Sequence, residues 1–156
     1  MNLFDRIAPT EIRHRLLWEA LVDVDETRVL GTGPLGERRI VPILGGTFRG
    51  GAEMEAFHGT VLPGGADRQL IRRDGAKELD ALYEMEVADG TVLTIRNRVI
   101  IDETSAGPRY AMSRIEVIAP DGPWAWLSRR LIVGTLQSAR PDRAAVIIRG
   151  WEMRDT

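Results

Sequence analysis

The chain has 156 residues, with 21 lysines and arginines against 23 aspartates and glutamates, for a formal net charge of −2. That near balance leaves no electrostatic footprint for nucleic acid or an anionic membrane, and the length suits one domain with its own core. Zero cysteines exclude disulfides, thiol nucleophiles and cysteine-ligated metals. No apolar run reaches the roughly 20 residues of a transmembrane helix and no apolar signal core opens the chain, so a cytoplasmic location is expected.

In chain order, residues 1–12 read as an N-terminal extension in which Leu3–Glu11 can form short helical turns. From His14 to Asp25, Leu16, Trp18, Ala20, Val22 and Val24 alternate with Leu17, Glu19, Leu21 and Asp23, the period of a half-buried strand. Glycine-rich connections at Gly31–Gly36 and Gly45–Gly51 flank a short strand, Arg38–Ile43. Gly59–Gly65 and Gln69–Arg73 add short strands around the turn Pro63-Gly64-Gly65. Strands are then expected at Tyr110–Ala119, Leu131–Ser138 and Ala145–Trp151, with helical turns over Pro123–Arg130. Many short strands separated by turn signals predict an all-β fold, a single antiparallel β-barrel of about eight to ten strands spanning residues 1–156. A closed barrel leaves no exposed strand edges.

The most informative segment is the hairpin Lys77–Ile101. Leu79, Ala81, Tyr83, Met85 and Val87 mark one face of its first strand, and Leu93, Ile95, Asn97, Val99 and Ile101 one face of its second. A two-residue Asp-Gly turn would lay that apolar stripe against Arg96 and Arg98. A three-residue Ala88-Asp89-Gly90 loop with Gly90 left-handed instead pairs Tyr83 with Ile95, Ala81 with Asn97, and Leu79 with Val99. Because a one-residue slip turns every side chain over, the second register is expected. It sends Asp80, Glu84, Arg96 and Arg98 outward as a ladder of cross-strand ion pairs. Tyr83 and Asn97 remain on the inner wall, where the core must satisfy them or a ligand cavity must use them.

Other motifs carry less. Gly31-Thr-Gly-Pro-Leu-Gly36 matches a dinucleotide-binding string, but Pro34 interrupts it and a strand follows, so it reads as a loop. His14 and His58 lack ligand spacing. A site built from His58 and Asp67 is a minor alternative, and no metal or other cofactor is expected. No nucleophile elbow surrounds Ser105, Ser113, Ser128 or Ser138. Asp67 either caps the Gly64-Gly65 turn or projects a carboxylate into a barrel mouth. Periodicity leaves the facing of Glu116 open; turned inward, it would be a desolvated carboxylate fit for acid–base work. Trp124, Trp126 and Leu127 either plug a barrel end or stack on a ligand.

Several of these strings together resemble a known family. They are Gly36-Glu-Arg-Arg-Ile-Val-Pro-Ile-Leu-Gly-Gly-Thr-Phe-Arg-Gly50, Gly59-Thr-Val-Leu-Pro-Gly-Gly-Ala-Asp67, Arg73-Asp-Gly75, the Asp89-Gly90 hairpin and Trp126-Leu127. The chain resembles, over about residues 14–152, the family called domain of unknown function 3237, also uncharacterised protein family 0311. The resemblance implies a compact antiparallel β-barrel and brings no settled activity or cofactor. Arg68 and Ser128 depart from the family pattern, which would matter if those positions touch a ligand.

The reading that follows is a barrel binding a small apolar or aromatic molecule in its lumen, oriented by Tyr83 and Asn97 with Trp126 nearby. A cofactor-independent lyase or isomerase would add Glu116 or Asp67 as general base and Tyr83 as acid or oxyanion donor. The rival is a non-catalytic interaction module, a homodimer whose lumen is packed core. A small-molecule ligand and a second copy are thus the expected partners, with no nucleic acid and no membrane.

Overall fold

In the computed structural model, which describes residues 1–104 and 106–156, ten strands pair antiparallel throughout and close on themselves. They are β1 (Arg13–Val24), β2 (Arg28–Gly33), β3 (Gly36–Gly50), β4 (Gly59–Val61), β5 (Ala66–Arg72), β6 (Lys77–Val87), β7 (Val92–Asp102), β8 (Tyr110–Ile118), β9 (Ile132–Ser138) and β10 (Ala145–Arg154). Neighbours around the wall run β1, β10, β9, β8, β7, β6, then β4 and β5, then β3, which returns to β1. β4 and β5 share one position between β3 and β6, interrupted at Pro63-Gly64-Gly65, and β2 hangs on β3 outside the circuit. The wall therefore has eight strand positions, the size at which side chains fill the interior or leave room for one small ligand. Among the described residues helix is confined to the four-residue α1 (Leu3–Arg6) and a short 3-10 helix, Ala125–Arg129. Among the described residues no helix is long and apolar enough to cross a membrane.

The hairpin adopts the register its face pattern predicts. Tyr83 lies opposite Ile95, Ala81 opposite Asn97, Leu79 opposite Val99 and Asp80 opposite Arg98. Val87 N–H bonds Thr91 O at 2.8 Å, and Gly90 takes a φ of +93°, closing the three-residue loop. In the outer ladder the two arginines take diagonal partners, whereas Glu84 bonds the residue directly opposite. Arg96 forks onto Asp80 at 3.1 and 2.9 Å, Arg98 reaches Glu116 at 2.6 Å, and Glu84 accepts from the Thr94 hydroxyl at 2.5 Å. The Arg96 fork holds the Asp80 carboxyl below the usual carboxylate range.

One expected connection is instead a strand. Gly45–Gly51 reads as a loop in sequence, yet β3 runs unbroken to Gly50. At Gly46 a side chain would put Cβ 1.9 Å from the Leu21 carbonyl oxygen of β1, and the local φ is +143°. Glycine here serves a bend and a close backbone approach, where β3 exchanges β5 and β2 for β1 and β4 as neighbours. β2 was not expected as a strand: its residues are mostly exposed and carry no apolar alternation.

Along the lumen the two halves of each strand differ. At one end Trp18, Phe48, Phe57, Met85, Val87, Leu93 and Ile95 are fully buried or nearly so. Phe57 is the hub, its ring centroid 5.6 Å from Trp18, 5.0 Å from Phe48 and 4.9 Å from Trp124. The 3-10 helix closes this end with buried Leu127, while Trp124 Nε1 donates to Asp89 Oδ2 at 2.9 Å. Trp124 and Leu127 thus plug the barrel.

Candidate functional site

The opposite end of the lumen is hollow. A cavity of about 220 Å³ has apolar walls that include Val22, Val41, Ile43, Val99, Val146 and Ile148. These are short, mostly β-branched side chains, which stand stiffly on their strands and leave the centre empty. The volume lies just below the roughly 300–1,000 Å³ usual for ligand pockets, so it suits a one-ring ligand.

Polar groups enter this cavity on one side. Asp67 of β5 lies opposite Ala81 of β6, which lies opposite Asn97 of β7, so the three form one cross-strand row. With strands roughly 4.8 Å apart, the Asp67 and Asn97 backbones stand about 10 Å apart across the small Ala81 methyl. Tyr83 lies two residues further along β6 on the same face. All four line the cavity, joined by Gln69. Gln69 Nε2 donates to Asp67 Oδ2 at 2.8 Å, which fixes the carboxyl.

What marks this corner is unmet bonding. Asp67 Oδ1, the Tyr83 hydroxyl and Asn97 Oδ1 are each buried without a hydrogen-bond partner. An unpartnered buried polar group costs about 1–3 kcal/mol, and three residues lining one cavity carry such a cost together. Burial pushes the Asp67 carboxyl above the usual carboxylate range, against the lowering effect of Gln69. Burial, and then the nearby Asp67 charge, push the Tyr83 phenol well above its ordinary value, so it stays protonated. The corner therefore holds a carboxyl able to take a proton, a phenol O–H able to donate a hydrogen bond, and an amide.

Gly65 explains how Asp67 gets there. A side chain at Gly65 would place Cβ 2.5 Å from Tyr83 Cβ and 2.6 Å from Leu82 O. The break between β4 and β5 thus lies directly against Tyr83, and β5 restarts with Asp67 turned toward the lumen. Asp67 is a wall residue rather than a turn cap.

Other candidates lie elsewhere. Glu116 is on the outer face, because the buried residues of β8 are Ser113, Ile115 and Val117, and its carboxylate pairs with Arg98 at 2.6 Å. The inward reading of Glu116 as a lumen base is corrected accordingly. Trp126 sits at the plugged end between two guanidiniums, 6.0 Å from Arg15 and 5.6 Å from Arg130, and does not line the cavity. Arg68 lies opposite Asp80 on the outer face, and the Ser128 hydroxyl donates to Ala125 O at 2.7 Å, so neither family departure touches the cavity. His58 is exposed just before β4. Its neighbour Gly59 pairs with Val87, six residues along β6 from the partner of Asp67, or roughly 20 Å. Among the described residues no group of three or more histidines and carboxylates converges. Of the serines weighed as nucleophiles, Ser105 lies outside the described residues.

Sequence reasoning missed Gln69 and Arg140. Gln69 was legible in principle, as the next inward position after Asp67. Arg140 had no signal, because it lies in the turn between β9 and β10 and meets the cavity only through barrel closure.

The family model described as "Protein of unknown function (DUF3237)" matches residues 13–153, which covers the whole barrel. The chain belongs to this family. A UPF0311 protein of Rhodopseudomonas palustris strain TIE-1 is 33% identical over 141 residues, covering 80% of this chain and 84% of that protein. A UPF0311 protein of Clostridium acetobutylicum is 34% identical over 97 residues, 60% of this chain and 59% of the other. Among solved structures, a conserved protein of unknown function from Rhodopseudomonas palustris superposes with a TM-score of 0.80 at 28% identity, covering 94% of this chain and all of that one. An enzyme from Penicillium herquei shares the fold alone, with a TM-score of 0.73 at 18% identity over 95% of this chain and 98% of that one.

Proposed function

We propose that the barrel binds a small, largely apolar, one-ring molecule in the hollow end of its lumen and carries out cofactor-independent proton transfer on it. The observation that carries this reading is the set of three unpartnered buried oxygens, on Asp67, Tyr83 and Asn97, around one cavity. A ligand hydroxyl or enol fits their chemistry best, since it donates to Asp67 or Asn97 and accepts from Tyr83. In the catalytic version Asp67 is the general base, its proton affinity raised toward the working range by burial. Tyr83, whose own ionisation is suppressed, donates a hydrogen bond to oxyanion charge as it develops on the ligand. The reaction class is then that of an isomerase or lyase acting at a carbon next to a carbonyl.

The test has two stages. Thermal-shift measurements with one-ring phenols and alcohols should show stabilisation of the wild type that Tyr83→Phe reduces; stabilisation left intact by that change contradicts the assigned hydroxyl. Incorporation of solvent deuterium into a bound carbonyl compound, followed by NMR, should vanish in Asp67→Asn. Binding without any exchange would leave a binding protein rather than an enzyme.

A further inference from the structure

At the cavity's outer rim stands a cation that is in no ion pair among the described residues. Arg140 lines the cavity and is exposed, and among the described residues its guanidinium makes no ion pair or hydrogen bond. Of the carboxylates on this side, Asp23 is paired with a guanidinium, while Asp25 lines the same cavity as Arg140. Arg143, on the same turn, forks onto Asp23 at 2.7 and 2.8 Å. Asp25 Oδ1 accepts the Glu26 N–H at 2.8 Å, which ties that carboxylate to its own turn.

The turn itself is held in place, so the position of Arg140 is set by the backbone. Ala139 N–H bonds Ala145 O at 2.9 Å, Arg143 N–H bonds Ala139 O at 3.1 Å, and Arg140 N–H bonds Ser138 Oγ at 3.1 Å. From this base the Arg140 guanidinium offers a planar fork of donors that matches a carboxylate. Between it and the Asp67–Tyr83–Asn97 corner the lining is mostly apolar, including Val24, Leu136 and Val146, with Asp25 and Thr27 as its further polar members.

We infer that Arg140 is a specificity residue, and that the ligand class is a small monocarboxylic acid. Its carboxylate meets Arg140 at the rim, its apolar body lies along the valine-lined wall, and its hydroxyl or enol lies in the deep corner. This inference rests on the reading of the cavity as a ligand site. It also accounts for the distribution of charge. The deep end holds a buried carboxyl and an amide oxygen, which would repel an anion, so the anionic end of a ligand would point outward, where Arg140 is the cation among the cavity-lining residues and must outweigh Asp25.

Two probes and two variants separate this inference from the reading beneath it. The probes are 3-(4-hydroxyphenyl)propanoate and its neutral amide, with dissociation constants measured by calorimetry on the wild type, Arg140→Met and Tyr83→Phe. A charge-assisted hydrogen bond predicts that the wild type binds the acid about 10- to 100-fold more tightly than the amide. Arg140→Met should bring that ratio within about twofold, chiefly by weakening the acid, whereas Tyr83→Phe should weaken both probes and keep the ratio. Equal binding of acid and amide by the wild type, or a ratio unaltered in Arg140→Met, overturns the role of Arg140 and leaves the cavity reading standing. Failure of both probes to bind the wild type overturns both. Rescue of the acid preference in Arg140→Lys would support recognition by charge, and its loss there would assign the preference to the planar fork.

Discussion

The two ends of this barrel are built from the same strands and have opposite characters. At the plugged end, β6 and β7 contribute Met85, Val87, Leu93 and Ile95, and Trp18, Phe48 and Phe57 complete a filled interior. At the hollow end, the same two strands contribute Leu79, Ala81, Asn97 and Val99 around an open volume, with Tyr83 at the boundary. Side-chain size makes the difference, since rings and long chains meet across a barrel of eight strands and valines and alanines do not. One end thus carries the packing energy, which leaves the other free to keep unpartnered polar groups at a cost in stability.

That contrast can be broken most severely at Phe57. It is fully buried against Trp18, Phe48 and Trp124, so Phe57→Ala should destabilise the protein by about 3–5 kcal/mol in chemical denaturation. A loss below about 1 kcal/mol would mean that the plugged end is not the core.

Asp67 sharpens the comparison through pH. Its folded-state carboxyl titrates higher than an unfolded one, so the native state holds the extra proton above the ordinary carboxylate range. Stability associated with this group is fully present at low pH and is lost as pH rises from that range through the raised folded value. Its slope is at most about 1.4 kcal/mol per pH unit. Denaturation midpoints measured across this window should fall with pH in the wild type relative to Asp67→Asn, and parallel curves would contradict the burial argument.

A third substitution tests the hollow end by filling it. Ala81→Val adds volume between Asp67 and Asn97 on a strand that favours branched residues, and should stabilise the ligand-free protein by roughly 0.5–2 kcal/mol. It should also abolish ligand-induced thermal stabilisation. The smallest effect is expected outside the barrel, where Arg96→Gln removes the exposed fork to Asp80 and should cost about 0.2–1 kcal/mol, less at high salt.

The hairpin was legible in sequence because period-two alternation, read with a turn whose length sets register, admits one arrangement that keeps Arg96 and Arg98 out of the core. From it followed the inner placement of Tyr83 and Asn97 and the outer ladder. The pairing within that ladder was less legible, because long arginines reach diagonally, and Arg96 chose Asp80 over Glu84. Glu116 shows where alternation stops being informative. β8 has Met112, Ile115 and Val117 on both parities, so its facing is decided by pairing with β7 and β9. The glycines at 45–50 misled for a related reason, since a residue without a side chain signals a turn in isolation and a close approach within a closed wall.

By itself, then, the sequence determined the all-β class, the hairpin register and two of the polar residues on the inner wall, because these depend on local alternation and turn length. Only the tertiary structure decided that β5 brings Asp67 into line with Ala81 and Asn97, that Trp126 belongs to the plugged end, and that Arg140 reaches the cavity rim. Those placements arise from closing the barrel, which brings together strands far apart in the chain, and no periodicity within one strand encodes its partner across the lumen.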